Sequence, residues 1–154
     1  MHISRVAALL ALLVPLVANA FDYDAYTAVE LSSVVPTLEV NPGGTTYHLD
    51  AAHSRYRSNV VFTGQIRPLG DQVLNLVKHW VVAMKHPHEY EKLFQSEVEV
   101  VQGEQHYWMP IQEQLVGAFL QEVAPRDHVT VYVLLVGGVD RTPVFAVSEL
   151  ETAR

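Results

Sequence analysis

Residues 129–136 read Val-Thr-Val-Tyr-Val-Leu-Leu-Val. Side chains alternate between the two faces of a strand. Val129, Val131, Val133 and Leu135 therefore line one face, and Thr130, Tyr132, Leu134 and Val136 the other. Both faces are largely apolar, the pattern of a central strand covered on both sides. Gly137-Gly138-Val139-Asp140-Arg141-Thr142-Pro143 follows and reads as a hairpin loop, with residues 144–150 returning as the last strand.

Upstream, 124–127 is an exit turn. Residues 112–123 carry Leu115, Val116, Phe119, Leu120 and Val123 at helical spacing. Before them, 96–101 alternates Val98 and Val100 against Glu97 and Glu99, Gln102-Gly103-Glu104 turns the chain, and 105–109 returns as a hairpin strand that Pro110 ends. Residues 71–85 form the other helix, capped by Asp71, with Val73, Leu76, Val77, Trp80, Val81 and Met84 on one stripe. His86-Pro87 stops it, and Pro87 opens a short helix carrying Tyr90, Leu93 and Phe94 inward. Residues 59–67 are a strand closed by Pro68 and Gly70, 45–49 a shorter one after the turn 41–44, and 21–40 an irregular stretch in which Asp22 or Asp24 can cap a helix that Pro36 ends.

Two amphipathic helices cannot bury their stripes alone, and the strands need a covered face. The expected class is α+β: a mostly antiparallel, strongly curved sheet or small β-barrel, OB-like or SH3-like, packed by the two helices.

The first 20 residues have a different character. Arg5 precedes the apolar run 6–17, and Ala18-Asn19-Ala20 is a small-x-small cleavage site, the order of a secretory signal peptide. The run is shorter than the roughly 20 residues a spanning helix needs. The expectation is a leader over 1–20 and a single globular domain over 21–154, periplasmic or secreted, with no integral membrane segment once the leader is cleaved. The leader holds one Arg and no acid, so the remainder keeps 9 Lys+Arg against 17 Asp+Glu, a formal charge of −8 (10 − 1 − 17). Phosphate backbones are bound by neutralising them with cations, so nucleic acid is an unfitting partner. There are no cysteines, which removes disulfides, thiol catalysis, thiolate metal sites and a lipobox, and leaves core burial to hold the fold. Asn-x-Ser/Thr sequons are also absent, in keeping with a bacterial envelope protein.

No motif specifies a reaction, and no catalytic residue, metal site or cofactor is assigned. His86-Pro87-His88 with Glu89 and Glu91 lacks the three or four converging ligands of a zinc site and reads as a solvated corner. His53-Ser54-Arg55-Tyr56-Arg57 is the one basic cluster. Arg55 and Arg57, with His53, could clamp a carboxylate or other anion; the plain alternative is a polar strand whose arginines pair with surface acids. A nucleophilic Ser54 needs a base that is near in space, which His53 as a sequence neighbour does not supply. Residues 105–112 are the densest aromatic stretch. Alternation sends His106 and Trp108 one way and Tyr107 and Met109 the other, so Tyr107 or Trp108 can line a recognition surface while one set fills the core. Glu97 and Glu99 face the same way about 7 Å apart on strand geometry, near a glycosidase spacing, and read as solvated acids.

His53, Arg55, Arg57, Tyr107 and Trp108 are thus the candidate ligand-binding residues. The favoured function is an exported, non-catalytic binding or accessory module of the bacterial envelope, engaging a protein or a small-molecule or saccharide ligand. The alternatives are a small secreted hydrolase using a His/Ser or carboxylate site, and a secreted enzyme inhibitor acting through 137–143.

Overall fold

The strand read at 129–136 is the hub of the structure. In the computed structural model, which describes residues 21–34, 47–50 and 52–152, it extends over His128–Val139. The described residues form a mixed α+β arrangement: β1 (Thr27–Ala28), β2 (Tyr47–Leu49), β3 (Arg55–Pro68), α1 (Asp71–Ala83), β4 (Phe94–Gln102), β5 (Gln105–Gln112), α2 (Glu113–Glu122), β6 (His128–Val139) and β7 (Thr142–Thr152). The expected leader at 1–20, the turn at 41–44 and residues 45–46 lie outside the described residues.

All seven strands join one sheet, ordered β1-β3-β4-β5-β7-β6-β2, with a further pairing of β3 to β6. Hydrogen bonding therefore runs β3–β4–β5–β7–β6 and back to β3, a closed ring. The pairs are antiparallel except β5–β7 and β1–β3. Closure depends on β3 serving two partners. Its first half, Arg55 to Val61, pairs with β6, and its second half, Val61 to Pro68, with β4. Between Phe62 and Ile66 the register slips, and Gly64 there has φ +97. A Cβ on Gly64 would stand 2.9 Å from Pro125 Cγ, so the bend needs glycine for its dihedral and for the close approach of the β6 entry turn.

Alternate residues of all five ring strands point inward. Val60, Phe62, Val98, Val100, Met109, Ile111, Val131, Val133, Phe145 and Val147 belong to this one buried cluster. Into it α2 inserts Phe119, whose ring meets Phe62 edge-on at 4.6 Å. The α2 stripe is narrower than its spacing predicts: Phe119 and Val123 are buried, Leu115 and Val116 half-buried, and Leu120 is 59% exposed. A ten-residue helix that presents one plug to the ring has no surface for Leu120 to meet. A second cluster lies outside the ring, where Leu76, Val77, Trp80 and Val81 of α1 pack on Val136, Val144, Ala146 and Phe94. This is why both faces of β6 are apolar.

Several expectations are corrected. Residues 137–139 are strand, not loop; the β6–β7 connection is the two-residue turn Asp140-Arg141, with φ +46 and +73, the positive pair a type I′ hairpin requires. The exposed loop expected over 137–143 is thus reduced to the turn Asp140-Arg141. The glycines serve another purpose: Gly137 has φ +152, and a Cβ on it would collide with the His48 carbonyl of β2, which pairs there. Pro110 does not end β5, which runs on to Gln112; proline fixes φ at a value a strand accepts and costs one donor. Gly70, not Asp71, is the N-cap of α1. The segment after Pro87 is a 3-10 turn, His88–Leu93, with Tyr90 exposed and Phe94 already in β4. Residues 21–34 hold no α-helix but two 3-10 turns flanking β1. This segment is fastened by Gln102, which accepts from the Leu31 amide at 2.7 Å and donates to Ser58 Oγ and the Asn59 carbonyl.

The division of α2 predicts two unlike outcomes. Phe119→Ala should lower unfolding free energy by about 3–5 kcal/mol, and Leu120→Ala should change it by less than about 0.5 kcal/mol. Urea titrations followed by circular dichroism measure both.

Candidate functional site

The same closure that fills the ring decides what its outer wall carries. Register places Arg67 of β3 opposite Glu97 of β4, Glu97 opposite Pro110 of β5, Glu99 opposite Trp108, and Val101 opposite His106. With Val98, Val100, Tyr107 and Met109 turned inward, Glu97, Glu99, His106 and Trp108 face out. The alternation expected at 105–109 is observed: Tyr107 and Met109 are buried, Trp108 is half-buried and His106 exposed.

Arg67 organises this wall. Its Nε donates to Glu97 Oε1 at 2.6 Å, and its Cζ sits 3.6 Å from the Trp108 ring centroid. The guanidinium is thus held by a carboxylate at its edge and an indole beneath it, a cation–π contact of about 0.5–2 kcal/mol. Glu97 was expected on a solvated face; it is 1% exposed. The correction has a plain cause. Its cross-strand arginine neutralises it, and α1 begins beside it, so that a Cβ on Gly70 would lie 3.9 Å from Glu97 Oε1. A carboxylate is favourably placed at a helix N-terminus. Glu99 is held separately: His106 Nδ1 lies 2.9 Å from its Oε1, and Thr63 Oγ1 donates to its Oε2 at 2.8 Å. Those two hydrogen bonds, His106 foremost, keep the Glu99 carboxyl below its ordinary value of 4.5, with burial acting the other way.

Arg67, Glu97, His106 and Trp108 border a cleft of about 510 Å³. One wall is the β4–β5 face with Glu97, His106 and Trp108, a second is Arg67 and the start of α1 from Gly70 to Val73, and a third is the β6–β7 hairpin around Asp140. Tyr107 also lines it, while its hydroxyl donates to Gln105 at 2.8 Å and burial raises its pKa.

Of the expected site residues, Trp108 and Tyr107 lie here. The basic cluster does not join them. Arg57 is on a different part of the ring, in an open polar groove of about 580 Å³ with Asn59, Thr130, Tyr132, Glu151 and the segment from Ala28 to Glu30. There the Tyr132 phenol donates to Glu151 at 3.0 Å and is itself hydrogen-bonded to Arg57, with burial raising its pKa. Arg55 is exposed opposite Leu134, and His53, at φ +53, sits in the bend before β3. Strand β3 carries Arg57 beside β6 and Arg67 beside β4, so ten residues separate the two surfaces. The Ser54 amide donates to Asp50 Oδ2 at 2.7 Å, and no histidine bonds its hydroxyl among the described residues. His86 stacks on Tyr90 at 4.6 Å while His88 lies 3.5 Å from Glu91, so the two imidazoles have different partners. Arg67, His106 and Asp71 were not among the expected site residues. The available signal was that His106 shares its strand face with Trp108.

Comparison of the chain with known protein families, with curated proteins and with solved structures finds no match.

Two measurements test the wiring. Arg67 is 51% exposed and Glu97 is buried, so the pair should respond asymmetrically. Arg67→Met strands a buried carboxylate and should cost about 3 kcal/mol; Glu97→Gln leaves a solvated guanidinium and should cost about 1–1.5 kcal/mol. Equal losses in urea titration contradict the assignment. The lowered Glu99 pKa adds stability above the unfolded carboxylate value, and that stability is lost as pH falls through the folded one. Glu99→Gln should therefore flatten the acid side of the melting temperature profile, below about pH 4.5.

Proposed function

We propose that this chain is an exported, non-catalytic module of the bacterial envelope that binds a saccharide in the cleft between β4–β5, the start of α1 and the β6–β7 hairpin. The observation that carries the reading is Trp108, an outward, half-buried indole on the wall of a cleft that Arg67 and His106 also line. A sugar presents C–H faces that pack on an aromatic ring and hydroxyls that both donate and accept. The half-exposed Arg67 and the exposed His106 supply polar groups at the cleft wall, and the cleft has the size of a small-molecule site.

Strand order supports the same location. Counting only the ring, its strands run first-second-third-fifth-fourth and back to the first, with third and fifth parallel and α2 between third and fourth. We read this as an OB-type ring carrying α1 as an addition between its first two strands. In such barrels the face of the second and third strands, with the loops between strands one and two and between four and five, is where oligonucleotides or oligosaccharides bind. The cleft uses those elements. This support is analogy at the level of the fold; the choice between the two polymers comes from charge. A formal net charge of −7 over the chain opposes a phosphate backbone.

Hydrolysis is disfavoured by the state of the carboxylates. A glycosidase needs an acid of raised pKa to protonate the leaving oxygen. Glu99 is shifted the other way, and Glu97 is committed to Arg67. Export rests on the leader-like order of residues 1–20.

Isothermal titration calorimetry with cellotriose and chitotriose tests the reading. At least one trimer should bind, and Trp108→Ala should weaken it by about tenfold or more, near 1.4 kcal/mol, while emission from the buried Trp80 stays unchanged. No binding of either trimer, or an unaltered affinity in the variant, refutes it.

A further inference from the structure

We infer that His106 accepts a hydroxyl of the bound sugar through an Nε2 that carries no proton, and that Glu99, outside the cleft lining, is its positioning residue. This rests on the saccharide reading above and adds a specificity-determining contact to it. His106 lines the cleft with its ring exposed, while its Nδ1 lies 2.9 Å from Oε1 of the half-buried Glu99. Thr63 Oγ1 donates to the other carboxylate oxygen at 2.8 Å and lies 3.2 Å from the Glu99 carbonyl, so the acid is held at both ends. An ionised carboxylate only accepts hydrogen bonds. The pair therefore needs its proton on Nδ1, and in the neutral imidazole that leaves Nε2 as a bare acceptor. Nε2 has no hydrogen-bond partner among the described residues.

Strand geometry puts this acceptor beside the indole. His106 and Trp108 are two residues apart on the outward face of β5, about 7 Å from one another, so a ring packed at Trp108 extends its hydroxyls toward the imidazole. Arg67 brings only donors to the same wall. Asp71 and Asp140 also border the cleft, but as charged acceptors from α1 and the β6–β7 hairpin. His106 differs from both: its acceptor is neutral, and its tautomer and orientation are set by a second residue.

Two measurements test the inference at about pH 8.5, roughly two units above the ordinary histidine value. In the free protein, imidazole nitrogen resonances should show His106 protonated at Nδ1 and bare at Nε2. Glu99→Gln, whose amide offers either an oxygen or an N–H, should leave the two tautomers mixed. The second measurement is calorimetry with cellotriose and chitotriose. For the trimer that binds, His106→Ala and Glu99→Gln should each weaken affinity by about threefold to tenfold, the loss of one neutral hydrogen bond. Glu99→Gln should have no further effect in the His106→Ala background, because it acts only through the imidazole. A proton on Nε2 in the parent, unchanged affinity in His106→Ala, or a Glu99→Gln effect that persists without His106 overturns the inference and leaves the saccharide reading intact. Binding of neither trimer overturns both.

Discussion

The structure depends on one strand bending sharply enough to be shared. β3 spends its first half against β6 and its second half against β4, and the change of partner at Gly64 turns an open sheet into a ring. Without it, the inward residues of five strands would have no common interior and Phe119 no cavity to enter. In a chain without cysteine, burial of this kind is the main source of stability. The acid-rich exterior contributes solubility rather than cohesion.

Closure also fixes the chemistry of the outer wall. Because β3 continues past its bend alongside β4, Arg67 arrives opposite Glu97 and within reach of Trp108. α1 leaves immediately afterwards and packs its stripe on β6 and β7, which brings its first turn to the same place. The cleft is therefore a consequence of topology: a strand, a helix start and a hairpin meet because the ring is closed. The buried carboxylate there is tolerable only because an arginine and a helix terminus face it.

The elements that were legible in the sequence were those whose signal is local. The two-faced apolar run at 129–136, the α1 stripe through Trp80 and the alternation that turned Trp108 outward all reappear in the structure. What could not be read involves partners distant in the chain. Glu97 looks solvated by its period, and only Arg67, thirty residues earlier, shows why it is buried. Gly137 and Gly138 look like a loop by composition, yet they are strand, with Gly137 making room for β2. Leu120 fits a helical stripe that has no matching surface. His53, Arg55 and Arg57 form a cluster in sequence that β3 and the bend before it keep away from Trp108, because charge grouping along a chain does not foresee which neighbour a strand will choose. Two of the five expected binding residues, Tyr107 and Trp108, thus line the cleft, and the groups beside them came from other elements.

The central claim is that recognition happens on the β4–β5 wall and not in the Arg57 groove. The most direct measurement is an amide chemical-shift map of the isotope-labelled protein titrated with cellotriose and with chitotriose. The account predicts perturbations at residues 67, 70–73, 97, 106–108 and 139–144, together with the Trp108 indole resonance. Perturbations centred instead on Arg57, Asn59, Thr130 and Tyr132, with the Trp108 indole unmoved, contradict it.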